Sequence, residues 1–187
     1  MARDPRLVLA SASPRRTALL RAAGYEFEVR PSGAPEPPFA GGDPAAYAES
    51  LARAKTGASN GEVVVGADTI VVLDGAVLGK PGDPAAAASM LGRLSGRTHE
   101  VITAVAVRRG AAVRSAHASA RVTFRPLSQR EIGDYVATGE PFDKAGAYAY
   151  QGAAGAFVTR LHGEPDTVIG LPVALLDSLL PAELRRS

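Results

Sequence analysis

Between Glu62 and Leu73 the chain reads Glu-Val-Val-Val-Gly-Ala-Asp-Thr-Ile-Val-Val-Leu, apolar and β-branched on both parities. A strand with one wet face alternates, whereas one that is apolar on both sides is covered on both, as at the centre of a sheet flanked by helices. The run therefore predicts a central strand, or a bent strand pair, in an α/β architecture. Asp68 interrupts it. As an unpaired buried ion it would cost several kcal/mol, so it needs a partner. A salt bridge or hydrogen bonds from neighbouring N–H groups would satisfy it structurally. A divalent-metal ligand or a general base at the mouth of a cleft is the functional alternative.

Helices and shorter strands surround this run. Leu7-Val8-Leu9 reads as a buried first strand, Pro14 opens a helix that stops at Gly24, and Tyr25 to Val29 alternates as a second strand. Asp43-Pro44 and Asp83-Pro84 each pair an N-cap residue with a proline suited to the first helical position. The first of these helices turns Tyr47, Leu51 and Ala54 inward and ends near Gly57, and the second runs to about Ser95. Ser128 and Glu131 form a capping box for a helix to about Thr138. Asp74-Gly75 turns the chain into Ala76–Leu78, and Thr98–Val107 and Ala111–Phe124 read as strands about a turn at Arg108–Gly110. Phe157–Leu161 and Thr167–Ile169 flank His162-Gly163-Glu164-Pro165 as a hairpin, and Pro172–Leu180 reads as a closing helix. Pro31 to Gly42 is a loop whose single carboxylate is Glu36, and Gly139 to Gly155 is glycine-rich and irregular. Strands joined partly by helices and partly by hairpins imply a mixed sheet, within a single domain over residues 1–187.

The 187 residues suffice for a sizeable core, and with 46% hydrophobic residues and a formal charge of only +2 they lack the basic face of a dedicated nucleic-acid binder. The absence of cysteine removes disulfides, thiol nucleophiles and Cys-based zinc sites together. Arg3 and Arg6 ahead of Leu7–Ala12 imitate a signal peptide, but the apolar core is shorter than the roughly 7–15 residues required. No apolar run approaches the roughly 20 residues of a membrane span. A cytoplasmic protein is the default expectation.

Ala10-Ser11-Ala12-Ser13-Pro14-Arg15-Arg16 joins the first strand to the first helix. Ser13 suits the N-cap and Pro14 the first helical position. Arg15 and Arg16 then fall in the first turn, where the positive end of the helix dipole disfavours cations by roughly 0.3–1 kcal/mol each. A helix start with N–H groups, paired guanidiniums and serine hydroxyls is a phosphate site in physical terms, and a solvated basic turn is the alternative. With Lys80 and Arg15 to hold phosphates, and Glu36 or Glu49 to share a metal with Asp68, the set is equipped for phosphoryl transfer. Lys55 and Lys80, each taken alone, read as ordinary surface lysines. Gly75 to Lys80 lacks P-loop glycine spacing and has Pro81 where Ser or Thr is required. His99, His117 and His162 stand singly with no metal spacing, so each is structural or exposed. Ser11 and Ser13 lie in no nucleophile elbow. Asp143 to Gly152 is polar, glycine-rich and aromatic, which suits a loop gripping a base or sugar as well as a plain connector.

Several stretches together resemble the Maf family of nucleotide pyrophosphatases, formerly called septum-formation inhibitors. They are Ser11-Ala12-Ser13-Pro14-Arg15-Arg16, Gly66-Ala67-Asp68-Thr69, Gly79-Lys80-Pro81, Ser95-Gly96-Arg97-Thr98-His99, Asp143-Lys144-Ala145-Gly146-Ala147-Tyr148 with Gln151-Gly152, and Val168-Ile169-Gly170-Leu171-Pro172. They follow the family order along nearly the whole chain. The resemblance implies a twisted mixed β-sheet with flanking helices around a deep cleft, similar to the inosine-triphosphate pyrophosphatases. It also implies hydrolysis of a nucleoside triphosphate to monophosphate and pyrophosphate with a divalent cation, Mg or Mn. Asp68 takes the place of the catalytic carboxylate and, with Glu36, of the metal ligands. Arg15, Thr69 and Gln151 match the substrate-selecting positions, and Ser11, Arg16, Lys55 and Lys80 further substrate-binding ones. The loop form is similar to the branch acting on dTTP and UTP, although Ala149-Tyr150 replaces the usual Gly-Ile before the glutamine. A carboxyl of ordinary pKa near ~3.9 is a poor base for free water, so proton acceptor and metal ligand can be one role for Asp68. The rival is a non-catalytic nucleotide sensor acting in septum formation, which needs the cations but not the acid. A nucleoside triphosphate is the expected partner, no nucleic acid or membrane is, and a homodimer is one admissible assembly.

Overall fold

The central apolar run forms one unbroken strand, β3 (Val63–Leu73), buried at every position except the half-buried Thr69. A computed structural model of the protein describes residues 6–185, so Arg3 lies outside the described residues. β1 (Leu7–Leu9) runs parallel to β3 with Leu7 opposite Val63, and β2 (Glu28–Val29) runs parallel to β1 on its other side. Asp74 and Gly75 both take positive φ, 51° and 77°, as a type I′ turn requires, and return the chain antiparallel onto β3 as β4 (Ala76–Leu78). β5 (Thr98–Arg109), β6 (Ala112–Phe124) and β7 (Val158–His162) complete a sheet of order β2-β1-β3-β5-β6-β7, with β4 beside β3. The seven strands found among the described residues thus form the mixed sheet that the connections imply.

The helices begin where short-range capping chemistry places them. Asp43 accepts the Ala45 N–H at the head of α2 (the second helix, Pro44–Lys55), and Asp83 accepts the Ala86 N–H at the head of α3 (Pro84–Leu94). Ser128 and Glu131 close a reciprocal capping box on α4 (Gln129–Ala137). Ser13 occupies the N-cap of α1 (Pro14–Ala22), yet its side chain makes no capping bond. Three sequence expectations change. Only Glu28 and Val29 of the second strand reach β1, and both are exposed at the sheet edge. Residues Pro165–Ile169 form a short helix, α5, rather than a hairpin arm, because proline supplies a helical φ at its first position and the Thr167 N–H closes onto the Glu164 carbonyl. α2 buries Ala48, Leu51 and Ala52 instead of Tyr47 and Ala54.

After α6 (Val173–Leu179) the chain ends in a single 3-10 turn, Ala182–Leu184. Contacts divide the chain into two compact units. The first comprises the chain through Asp68, Thr103–Ala118 and the chain from Gly170 onward, with a core of Leu7, Leu9, Leu20, Val65, Val105 and Leu176. The second comprises Thr69–Ile102 and Ser119–Ile169, with a core that includes Val71, Leu91, Phe124, Tyr135, Tyr148 and Phe157. Among the described residues no helix is long and apolar enough to cross a membrane.

Candidate active site

Gly66 decides how the first unit presents its acid. A Cβ at this position would lie 2.3 Å from the Ala52 carbonyl oxygen, so the backbone of α2 rests directly on β3. That approach brings Lys55, at the end of α2, to Asp68, two residues along the strand. The Lys55 Nζ donates to Asp68 Oδ1 at 2.5 Å and pairs with Glu36 Oε1 at 2.7 Å. Glu36 arrives on the loop between β2 and α2, which is tied down where the Tyr47 hydroxyl donates to the Pro37 carbonyl at 2.8 Å and the Tyr47 ring packs on Phe39. Asp68 is only 7% exposed, and its partner is this shared ammonium. Burial pushes its carboxyl above the ordinary value of 3.8, against the pull of Lys55 and Arg16, while the Glu36 charge adds to the rise. The expectation of an ordinary pKa is therefore corrected: Asp68 is a stronger base than a solvated carboxylate.

The phosphate-site stretch is organised around Arg16. Its Nε donates to the Gly170 carbonyl at 2.8 Å and its Nη1 to Ser11 Oγ at 3.3 Å. Ser11 Oγ also accepts the Ser13 N–H at 3.2 Å, which bends the chain into α1. Burial lowers the Arg16 pKa, Asp68 opposes that, Arg15 lowers it further and Glu36 raises it, so these four groups share one field. Arg15 and Arg16 stand together in the first turn of α1, which carries no acidic residue.

Thr69, Lys80 and Gln151 belong to the second unit. Thr69 directly follows Asp68 on β3. Lys80 is exposed and follows Gly79, whose carbonyl accepts the Gly146 N–H at 3.1 Å. Gly146 has φ +70° and no room for a Cβ, which would meet Val71 Cγ2 at 2.8 Å. Gln151 is exposed in a turn, and its amide makes no hydrogen bond among the described residues. Of the two acids offered as partner to Asp68, Glu49 is occupied elsewhere, accepting from Ser115 Oγ at 2.6 Å and bonding His117 Nδ1 at 2.8 Å. His99 is buried against Tyr148, while His117 and His162 are exposed. Sequence reading missed Tyr47 and Gly170 as supports. Gly170 was visible only as part of a motif, and nothing local marks Tyr47 as the anchor of a loop ten residues earlier.

Among the described residues no group of three or more His, Cys, Asp or Glu side chains could enclose a metal ion. Asp68 and Glu36 nonetheless already share one cation, the Lys55 ammonium, and both are hard oxygen donors. Such a pair suits a Mg-type ion that keeps several waters and completes its shell with substrate phosphates, rather than one held in an all-protein cage.

A mixed α/β sheet that carries a cation-paired buried carboxylate near arginines at a helix start defines a phosphate-handling protein. Within that class the chain belongs to the family described as Maf-like protein, which it matches over residues 6–183. It is 52% identical over 180 residues to a dTTP/UTP pyrophosphatase of an Anaeromyxobacter species, covering 94% of this chain and 88% of the relative. It is 51% identical over 174 residues to a dTTP/UTP pyrophosphatase of Geobacter sulfurreducens, covering 90% and 91%. It is 50% identical over 171 residues to one of Symbiobacterium thermophilum, covering 89% and 88%.

Proposed function

We propose that this chain is a nucleoside triphosphate pyrophosphatase that prefers dTTP and UTP, with Asp68 as its catalytic carboxylate. The observation that carries the reading is the Asp68 carboxyl, buried, raised in pKa and held by Lys55. In the reaction a water oxygen bonds to the α-phosphorus, the bridging Pα–O bond breaks, pyrophosphate departs, and the water proton passes to Asp68. The Lys55 ammonium favours the ionised form of Asp68 against burial. Arg15, Arg16, the start of α1 and Lys80 stabilise the charge that grows on the departing pyrophosphate. Ser11 holds Arg16 in place. A magnesium or manganese ion held by Asp68 and Glu36 would supply charge neutralisation at the phosphates and make water more acidic. Thr69 and Gln151 select the substrate, the Gln151 amide offering a donor and an acceptor that complement the O4 and N3–H edge of uracil or thymine.

Pyrophosphate release from the natural nucleoside triphosphates, measured with magnesium for the native protein and for Asp68→Asn, tests the reading. The native protein should release pyrophosphate fastest from dTTP and UTP, and Asp68→Asn should lose orders of magnitude in turnover while keeping the fold. Gln151→Ala should narrow the preference by the roughly 1–3 kcal/mol of one buried polar contact. Near-native turnover in Asp68→Asn would overturn the catalytic assignment. Nucleotide binding with no release from any triphosphate would favour a non-catalytic sensor instead.

A further inference from the structure

Gln151 emerges from a segment of short 3-10 turns, Ala145–Ala147 and Ala153–Phe157, yet the backbone around it is pinned within the second unit. The Tyr148 hydroxyl meets His99 Nε2 at 2.8 Å. The next residue, Ala149, donates its N–H to the Tyr135 hydroxyl of α4 at 3.0 Å. Burial raises the pKa of that hydroxyl, and the Glu140 carboxylate, just past the end of α4, raises it further. Gly152 lies on that same carboxylate, because a Cβ there would fall 2.0 Å from Glu140 Oε1. The other oxygen, Glu140 Oε2, is buried with no hydrogen-bond partner among the described residues. A buried carboxylate oxygen with idle acceptor capacity on a half-buried side chain is unfavourable for folding alone, and no step of the hydrolysis uses it.

We propose that Glu140 is a positioning residue for base selection: from beneath Gly152, with the Tyr135 hydroxyl holding Ala149 on the other side, it fixes the backbone around Gln151. The inference rests on the reading of Gln151 as the residue that meets the base. Glutamine has three rotatable side-chain bonds, so an amide that discriminates bases needs a root that does not move. Misplacement of a binding group by about 1 Å can cost on the order of a hundredfold in rate. The root is held on both sides. The Glu140 carboxylate fills the space under Gly152, which directly follows Gln151 and has no side chain, while the Tyr135 hydroxyl holds Ala149 two residues before.

The test compares kcat/KM for dTTP and dCTP in the native protein and in Glu140→Ala, Glu140→Gln, Tyr135→Phe, Gln151→Ala and the Glu140→Ala/Gln151→Ala double variant. Glu140→Ala and Tyr135→Phe should lower the dTTP-to-dCTP ratio by about tenfold, mainly through the KM for dTTP, with kcat for dCTP nearly unchanged. Glu140→Gln should restore most of the ratio, since its isosteric amide still fills the space under Gly152. The double variant should discriminate no worse than Gln151→Ala alone, because both changes disable one device. Equal losses for both nucleotides at an unchanged ratio would show that Glu140 is merely structural. Should Glu140→Ala fail to fold, Tyr135→Phe, which removes a single oxygen, decides by the same ratio. A native ratio retained in Gln151→Ala sinks the base-reading role itself. A ratio lost there but kept in Glu140→Ala and Tyr135→Phe sinks the positioning role alone.

Discussion

Asp68 is subject to two opposed influences of different origin. Burial favours its neutral form, and the Lys55 ammonium at 2.5 Å favours the ionised one. Burial wins, which leaves a carboxyl that is more basic than usual, with its cation partners opposing the rise. The proposed proton transfer to Asp68 needs the ionised form, so kcat/KM should fall as pH drops through the Asp68 pKa, on an acid limb above the ordinary carboxylate value. Lys55 is the largest of the influences that lower that pKa. Lys55→Gln should therefore move the acid limb further up, and the variant should recover part of its activity as pH rises past the displaced limb. Profiles of kcat/KM against pH for the two proteins check this. A limb that stays in place would separate Lys55 from the ionisation of Asp68. Of the alternatives the sequence offered for Asp68, the structure shows the ion pair, with Lys55, and the chemical role is the one proposed.

Elements acquire their roles here through how closely they approach. α2 reaches β3 only because Gly66 has no side chain, and the atom a Cβ would strike is a backbone carbonyl that no rotamer change can move aside. Gly66→Ala should lower stability by about 1–3 kcal/mol as overpacking does, and it should lower kcat/KM as well by lifting Lys55 from Asp68. Gly92 on α3 has nothing within 4 Å of its own Cβ position, so Gly92→Ala should stabilise by up to about 1 kcal/mol without touching activity. Melting temperatures and steady-state rates of the two variants test the contrast. Caps at Asp43, Asp83 and Ser128, the Asp74-Gly75 turn and the doubly covered β3 were legible in the sequence because each rests on neighbours within a few residues. Three apolar or β-branched residues at Thr167–Ile169 were too short a run to tell a strand from a turn of helix. The choice of Glu36 over Glu49 depended on a loop fold, and the grip of Gly170 on Arg16 spans 154 positions, so no local pattern carries either.

For the molecule as a whole, the residues that support the Gln151 segment also enter the balance of stability. The core of the second unit contains a group of edge-to-face rings, with His99 centred 5.1 Å from Phe124 and 5.4 Å from Tyr148, and Phe124 centred 5.9 Å from Phe157. His99 is 2% exposed, and its Nδ1 is buried without a hydrogen-bond partner among the described residues. Burial lowers its pKa from 6.5 to about 4, so the folded protein keeps this imidazole neutral where the unfolded chain would already bind a proton. Stability rises with pH wherever the unfolded state binds more protons, so the His99 contribution is complete above about pH 6.5 and is lost as pH falls toward about 4. The full loss corresponds to ~3 kcal/mol at 1.36 kcal/mol per pKa unit, a large part of the ~5–15 kcal/mol that holds a typical domain folded. Glu131, lowered to about 2 by Arg125 and the Ser128 cap, withdraws its contribution in a more acid window, from 4.5 downward. The two effects should therefore separate along the pH axis. His99→Gln keeps a polar partner for the Tyr148 hydroxyl but cannot titrate, so its melting temperature should stay nearly level between pH 6.5 and 4.5 while that of the native protein declines. A variant that declines as steeply as the native protein would place the acid sensitivity in another group.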